Sequence, residues 1–303
     1  MRSAADPSGT VLGVDVGYSK TQPTTGLCVL AWDATAISLS FARCRCAPAE
    51  RDGAIDRIVG GRELCAAAID GPLTHGLRRV QHYRAAEALL SQGVLQKRGK
   101  PGQTSSPTGR ELHHHATDVA LSLIAKGIVG PSRHFELIHE RSLVEAFPNM
   151  FLAALVDEER LPELRRDASD RYWEVVVHHT PRLEEIIAHL LPDRALTSNL
   201  RSCIDHEHRA ALICALSALA VATGEYVAVG DPFDGDIVLP PQERWGASSP
   251  GGDAWMTRTL RSNLDRVRAV GRNHANHRHA RIHQNGAPLS DHSRQSTLLP
   301  RSG

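Results

Sequence analysis

The stretch V-L-G-V-D-V-G at residues 11–17 places a carboxylate, that of Asp15, inside a short run of strand-forming residues. Valine and leucine favour a strand here, and the Gly, Ser, Pro and Thr residues that follow up to position 25 indicate a turn. Burying an unpaired carboxylate is costly unless a hydrogen-bond donor or a cation compensates it. The position of Asp15 therefore predicts a functional carboxylate in the first strand.

The residues around this stretch predict an α/β fold. Residues 26–32 and 36–42 are two more apolar runs joined by three residues, which is typical of antiparallel neighbours. Residues 65–69 and 142–146 read as later strands, with helical patterns between and after them. The expected architecture is a mixed sheet of about five strands, a three-strand antiparallel meander plus parallel strands, flanked by helices.

Acidic residues stand at the ends of two later strands. Asp70 closes A-A-A-I-D-G-P, and Glu145 closes S-L-V-E-A-F-P. If these strands share a sheet with Asp15, the three carboxylates can converge at the strand ends, where open α/β sheets bind ligands. Converging carboxylates repel one another unless a cation lies among them, and oxygen ligands suit Mg²⁺ or Mn²⁺. Asp205, which opens the helix D-H-E-H-R-A-A-L, is the fourth candidate ligand.

Each acid also has a purely structural interpretation. Asp70 is a common turn residue before Gly and Pro, and Glu145 fits a solvated sheet edge. Asp205 fits a helix N-cap, or a pair with Arg209 one turn later. Glu207 is an alternative ligand to Asp205. The two side chains lie about 200° apart round the helix, so they are not expected to reach one metal together.

The charge balance limits the possible partners. Lys plus Arg is 35 and Asp plus Glu is 34, for a net charge of +1, which excludes a uniformly basic coat protein. Aromatic residues are only 4%, which argues against a binder of single strands built on aromatic stacking. Residues 257–303 nevertheless contain nine Arg and two Asp, with no Lys or Glu.

Composition divides the chain into three parts. We expect a disordered N-terminus at residues 1–9, a domain at 10–245 with a helical insertion around 77–127, and a basic, Arg/His-rich disordered tail at 246–303. The loop at residues 96–110 lies inside the insertion. Its cations, Lys97, Arg98 and Lys100, are the predicted contacts to nucleic-acid phosphates.

A cytoplasmic location without membrane contact is the expectation from the apolar runs. The longest of them, residues 210–222, is well short of the roughly 20 residues that a membrane span needs. No signal-peptide pattern opens the chain. Four of the six cysteines lie in apolar runs, which is typical of buried thiols in a reducing compartment.

Five stretches in this order resemble the domain-of-unknown-function 429 family, whose members are predicted RNase H-like nucleases. They are V-L-G-V-D-V-G, A-I-D-G-P-L, L-V-E-A-F-P-N-M-F-L, R-A-A-L-I-C-A-L-S-A and G-D-P-F-D-G-D-I-V-L-P, within residues 10–241. The resemblance implies an RNase H-like fold and phosphodiester hydrolysis at a carboxylate site with two Mg²⁺ ions. Asp15, Asp70, Glu145 and Asp205 would be both the metal ligands and the catalytic residues.

The last helix departs from the pattern of RNase H-like resolvases, which have an acid directly before its small residues. Arg209 or Ala210 stands there in this chain. Two alternatives to a nuclease therefore stay open. One is a non-catalytic, nucleic-acid-binding protein with the same fold; the other is a phosphotransferase similar to actin, Hsp70 and sugar kinases, whose first strand also carries D-x-G.

Overall fold

The computed structural model describes residues 6–99, 101–132, 139–162, 168–248, 253–271, 277–284 and 287–288. Its strands form one mixed sheet in the order β10-β9-β7-β8-β5-β4-β1-β2-β3-β6. They are β1 Gly9–Asp15, β2 Thr25–Trp32, β3 Ala36–Cys44, β4 Ala66–Asp70, β5 Leu143–Ala146, β6 Ala195–Leu196, β7 Val227–Asp231, β8 Gly235–Leu239, β9 Arg281–Gln284 and β10 Ala287–Pro288.

The strand directions confirm the expected mixed sheet, but the sheet has ten strands among the described residues rather than about five. The first three strands form the antiparallel meander, and β4, β5 and β8 continue the sheet from β1 in parallel pairs. The helices are α1 Pro48–Val59, α2 Ala85–Leu90, α3 Pro107–Ala125, α4 Pro148–Leu155, α5 Ala168–Trp173, α6 Arg182–Leu190, α7 His206–Thr223 and α8 Trp255–Gly271. The protein is therefore an α/β protein with helices flanking the sheet.

The helix α7 lies directly on one face of the sheet. Its side chains from Ala210 to Val221 are buried. It follows the N-cap Asp205 and ends before Gly224, which adopts the left-handed conformation at φ 76°. Two glycines let the helix backbone touch the strands. A Cβ atom on Gly13 would lie 2.1 Å from the Ala211 carbonyl oxygen, and one on Gly26 would lie 2.2 Å from the Glu207 carbonyl oxygen.

The other face of the sheet is covered by α1, α2 and α3. Both faces of β1 and β2 are buried, so a second layer of helices must lie opposite α7. Within that layer, α3 is tied to α1: Lys126 Nζ donates to Asp56 at 2.7 Å, and the Ser122 hydroxyl donates to Asp52 at 2.8 Å. The region around residues 77–127, which we predict to be a helical insertion, contains α2, a short 3₁₀ helix at Gly93–Lys97, and α3.

The composition predicts a disordered tail at residues 246–303, but residues 253–271 and 277–284 form a helix and a strand of the sheet. Residues 249–252, 272–276, 285–286 and 289–303 of that predicted tail lie outside the described residues. Helix α8 buries the side chains of Trp255, Met256, Leu260 and Val267, and β9 pairs with β7 inside the sheet. The helix is amphipathic, and its exposed arginines dominate the composition of this stretch. Residues 6–9 of the predicted disordered N-terminus differ as well, since β1 begins at Gly9 and the Asp6 carbonyl accepts from the Trp32 indole at 3.0 Å. Residues 1–5 lie outside the described residues.

Within the described parts of the chain, none of the helices is long and apolar enough to cross a membrane.

Replacing Gly13 with alanine should destabilise the protein by about 1–3 kcal/mol, because the new methyl group overlaps the backbone of α7. Gly53→Ala is the matched control. Its Cβ would meet only the Arg57 side chain, at 3.6 Å, and alanine stabilises a helix interior by about 0.5–1 kcal/mol relative to glycine. Urea denaturation of the two variants should give shifts of opposite sign. Equal shifts would mean that α7 does not pack against β1 in this way.

Candidate functional site

Asp15 and Asp70 lie side by side at the ends of adjacent parallel strands. They are register partners in the pairing of β1 with β4, so their side chains project from the same face of the sheet. Gly13, two residues earlier in β1, contacts α7, which places both carboxylates on the α7 face. Each side chain is only partly buried at this edge. The structure thus brings together two of the four predicted ligands.

The environment of this pair opposes negative charge. Burial, followed by repulsion from Asp70, Glu207 and Asp205, raises the pKa of Asp15 well above its ordinary value. Burial and repulsion from Glu145 raise the pKa of Asp70 to about 7. Among the described residues, no cation and no hydrogen-bond donor counters either shift. A bound cation would relieve this repulsion, so the pair fits a metal ion electrostatically.

The carboxylate of Glu145 lies on the opposite face, contrary to the sequence expectation. Its register partner in β4 is Ile69, not Asp70, and successive strand residues point to opposite faces. Arg84 binds it with two contacts, of 2.7 and 2.8 Å, and the Leu73 N–H donates to it at 2.8 Å. Both of its oxygens are therefore engaged, and Glu145 does not join Asp15 and Asp70.

Arg84 organises a buried polar network that the sequence did not reveal. Its Nε donates to Glu87 at 2.8 Å, and Glu87 also accepts from the Thr104 hydroxyl and from the Thr104 N–H. Arg84 is 1% exposed and Glu87 is fully buried. Burial raises the pKa of Glu145, and the Arg84 guanidinium opposes that rise. The network joins β5 to the start of α2 and is a structural element.

Two acids at the start of α7 lie close to Asp15, and Arg43 binds both. The Asp205 side chain accepts from the His208 N–H at 3.0 Å, so it caps the helix as its structural interpretation predicted. Arg43 is 2.7 Å from Asp205 and 3.3 Å from Glu207. Burial acts to raise the pKa of Asp205, but the His208 N–H and Arg43 lower it overall. Because Asp205 is held twice, Glu207 is the α7 acid with more freedom to approach Asp15.

Arg209, which stands where resolvase-like helices have an acid, serves the packing of α7. Its Nε donates to the Cys203 carbonyl at 2.7 Å, and its guanidinium lies 3.0 Å from Asp170 and 5.3 Å from the Trp173 ring. It is turned towards α5 and forms no part of the carboxylate pair.

The three predicted phosphate contacts have different environments. Lys97 is exposed at the end of its 3₁₀ helix. Arg98 donates to the carbonyl oxygens of Leu161 and Pro162, so its guanidinium is used inside the protein. Lys100 lies outside the described residues. Among the described residues of these three, only Lys97 is exposed and available to contact a nucleic acid.

His189, Glu225 and Glu243 form a cluster that sequence reasoning missed. Their ligand atoms lie within 4.8 Å of one another, and no other such trio occurs in the ranges described. However, Arg244 donates to His189 Nδ1 at 2.8 Å, and an arginine cannot accept. Nδ1 is therefore occupied and Nε2 carries the proton, so the imidazole cannot ligate a metal in this arrangement.

The pKa of Asp70 predicts a pH dependence of stability. Its folded value of about 7 exceeds the ordinary 3.8, so between these values the folded state binds more protons and loses stability as the pH rises. Asp70→Asn should be more stable than the wild type by a small margin near about pH 5 and by a clearly larger margin near about pH 8, in EDTA. Urea denaturation at both pH values measures this, with Asp265→Asn as the exposed control. A constant difference between wild type and Asp70→Asn would contradict the raised pKa.

No family model, curated protein or solved structure matches the chain.

Proposed function

We propose that the protein is a metal-dependent phosphodiester hydrolase of the RNase H-like type, with Mg²⁺ or Mn²⁺ held by Asp15 and Asp70. The observation that carries the proposal is this pair itself: two partly exposed carboxylates in register, both with raised pKa and no described counter-cation. Hard divalent cations prefer carboxylate oxygens. The residues present therefore fit such an ion.

The order of the elements supports the RNase H-like assignment. The partial order β3-β2-β1-β4-β5 combines an antiparallel meander with two parallel strands, and a late helix, α7, crosses β1 and β4. Acids on β1, on β4 and at the start of α7 follow the order that the family resemblance implies. Glu207 replaces Glu145 and Asp205 as the third carboxylate in this proposal.

The metal would supply Lewis-acid polarisation of a phosphoryl oxygen and a lowered pKa of water. The protein's own residues would bind the metal ion and hold it in position. Asp15 and Asp70 provide carboxylate oxygens from rigid strands, and Arg43 fixes the direction of Glu207. Tyr18, which is 45% exposed, and Lys20 lie in the loop after β1 and can contact a nucleic-acid chain beside the pair.

The test is hydrolysis of bis(p-nitrophenyl) phosphate and of labelled single- and double-stranded DNA and RNA, with Mn²⁺, Mg²⁺ or EDTA. Wild type should cleave at least one substrate only with metal. Asp15→Asn should lose about 10²–10³-fold in rate, because several kcal/mol of transition-state stabilisation depend on the ion. Asp265→Asn, on the exposed side of α8, should keep full activity.

A non-catalytic nucleic-acid-binding protein is the second candidate. The specific observation in its favour is that Arg84 and Arg43 neutralise two of the four predicted acids, Glu145 and Asp205. Metal-independent binding of DNA or RNA by a protein that hydrolyses none of the substrates would favour this candidate over the hydrolase.

A further inference from the structure

A pocket of about 430 Å³ lies between α3 and residues 77–81, apart from the acidic pair. On α3, the lining residues recur at spacings of three or four, so they share one face of the helix. They are Arg110, His113, His114, Thr117, Asp118 and Leu121. The volume falls within the roughly 300–1,000 Å³ of small-molecule sites. The pocket can therefore hold a compact organic ligand.

Two arginines from different elements line this pocket. Arg79 comes from the 77–81 segment, is exposed and forms no ion pair with the described residues. Arg110 comes from α3, is also exposed, and donates to the Ser105 carbonyl, which leaves most of its donors open. The acid of the wall, Asp118, lies 3.7 Å from the His114 ring. A guanidinium group favours an anion with several oxygens, such as a phosphate or a carboxylate.

The imidazole of His113 joins the two walls and adds no charge to them. Its Nδ1 lies 2.7 Å from the Pro72 carbonyl, and its Nε2 accepts the Val80 N–H at 3.4 Å. Burial lowers the pKa of His113, which keeps the ring neutral. The positive charge of the pocket therefore belongs to its arginines.

The remaining wall is largely apolar, and it contains one hydroxyl group without a described hydrogen-bond partner. Leu121 is 50% exposed and offers an apolar surface to the pocket. Leu77 adopts φ 54°, a left-handed conformation that non-glycine residues avoid and that clusters at ligand sites. The buried Thr117 hydroxyl has no hydrogen-bond partner within the described chain. An apolar ligand body in the pocket would cover the exposed Leu121 side chain.

We propose that this pocket binds a small organic phosphate, with the phosphate group on Arg79 and Arg110 and the apolar body against Leu77, Val80 and Leu121. The proposal is independent of hydrolysis at Asp15 and Asp70, which face α7 on the other side of the sheet.

Calorimetric titration with phenyl phosphate in EDTA tests this site, since EDTA removes any metal that would attract phosphate to the acidic pair. Wild type should bind phenyl phosphate with a Kd in the low millimolar range or tighter, and inorganic phosphate at least about tenfold more weakly. Arg79→Gln should weaken phenyl phosphate by about tenfold or more, because a charge-assisted contact is lost. Leu121→Ala should weaken phenyl phosphate but leave inorganic phosphate unchanged.

Arg78→Gln is the matched control, because Arg78 is equally exposed and adjacent but does not line the pocket. It should bind like wild type, and so should Asp15→Asn. Three results would overturn the proposal: no binding of phenyl phosphate by wild type, equal losses for Arg78→Gln and Arg79→Gln, or binding of phenylacetate as tight as that of phenyl phosphate. The last would assign the pocket to carboxylates.

Discussion

Arg84→Met should lower the free energy of unfolding by about 3–5 kcal/mol, the largest single-residue effect that we expect on stability. Arg84 is 1% exposed and is the cation that faces both Glu87 and Glu145. Methionine fills much of the same volume but carries no charge, so two carboxylates would be left buried without a counter-ion. Urea denaturation near neutral pH measures the loss.

The exposed pair of Arg45 with Glu50 is the control for this prediction. Its contact distance is 2.7 Å, close to that of the buried pairs, but the Arg45 side chain is 50% exposed. Arg45→Gln should therefore cost at most about 1 kcal/mol. Adding Glu145→Gln and Glu87→Gln to Arg84→Met should recover part of its loss. A loss below about 1 kcal/mol for Arg84→Met would refute the buried network.

The two acids of α7 should differ strongly in their effect on hydrolysis. Glu207→Gln should lower the rate by about 10²-fold or more, since it removes the acid that acts on Asp15 more strongly than Asp205 does. Asp205→Asn should stay within a few-fold of wild type, because asparagine caps a helix as well as aspartate. Parallel melting curves establish that both variants are folded.

Steady-state rates with Mn²⁺ on whichever substrate the wild type cleaves measure this contrast. The reverse order, with Asp205→Asn inactive and Glu207→Gln active, would assign the third ligand to Asp205. If both variants keep wild-type activity, neither acid of α7 belongs to the site, and Asp15 and Asp70 would be its only carboxylates.

The local part of the fold could be predicted from the sequence. The meander, the strands β4 and β5, and the long apolar helix α7 are all encoded in contiguous patterns of apolar residues. The proximity of Asp15 and Asp70 followed because neighbouring parallel strands end at the same edge. Gly13, in the deciding stretch, is explained only by its contact with the backbone of α7.

The face on which Glu145 lies could not be predicted. A shift of one residue in the register of a strand turns every side chain to the other face, and the sequence of β5 is apolar on both sides of Glu145. Its partner Arg84 is 61 residues away in the chain, with no local signal that connects them. Such pairing between residues far apart in the sequence is the main reason why Glu145 was wrongly grouped with Asp15 and Asp70.

The composition of helix α8 led to the wrong prediction of a disordered tail. Its apolar residues, such as Trp255, Leu260 and Val267, are spaced for one helical face, whereas its exposed arginines suggested a solvated tail. Asn263 completes its attachment, since the side-chain amide donates to the carbonyls of Leu89 and Gln92 at 2.8 and 3.0 Å. Periodicity was a better guide than composition here.

Thermal melting in EDTA and in several millimolar Mn²⁺ measures whether Asp15 and Asp70 hold a divalent metal, as we propose. Metal at 100 times its Kd adds about 2.7 kcal/mol, or roughly 5–10 °C in Tm for a chain of this size. Wild type should show this shift. Asp15→Asn should be at least as stable as wild type in EDTA and should gain almost nothing from Mn²⁺. A wild type that does not respond to Mn²⁺, together with an Asp15→Asn variant that melts lower in EDTA, would contradict the claim and make Asp15 a structural residue.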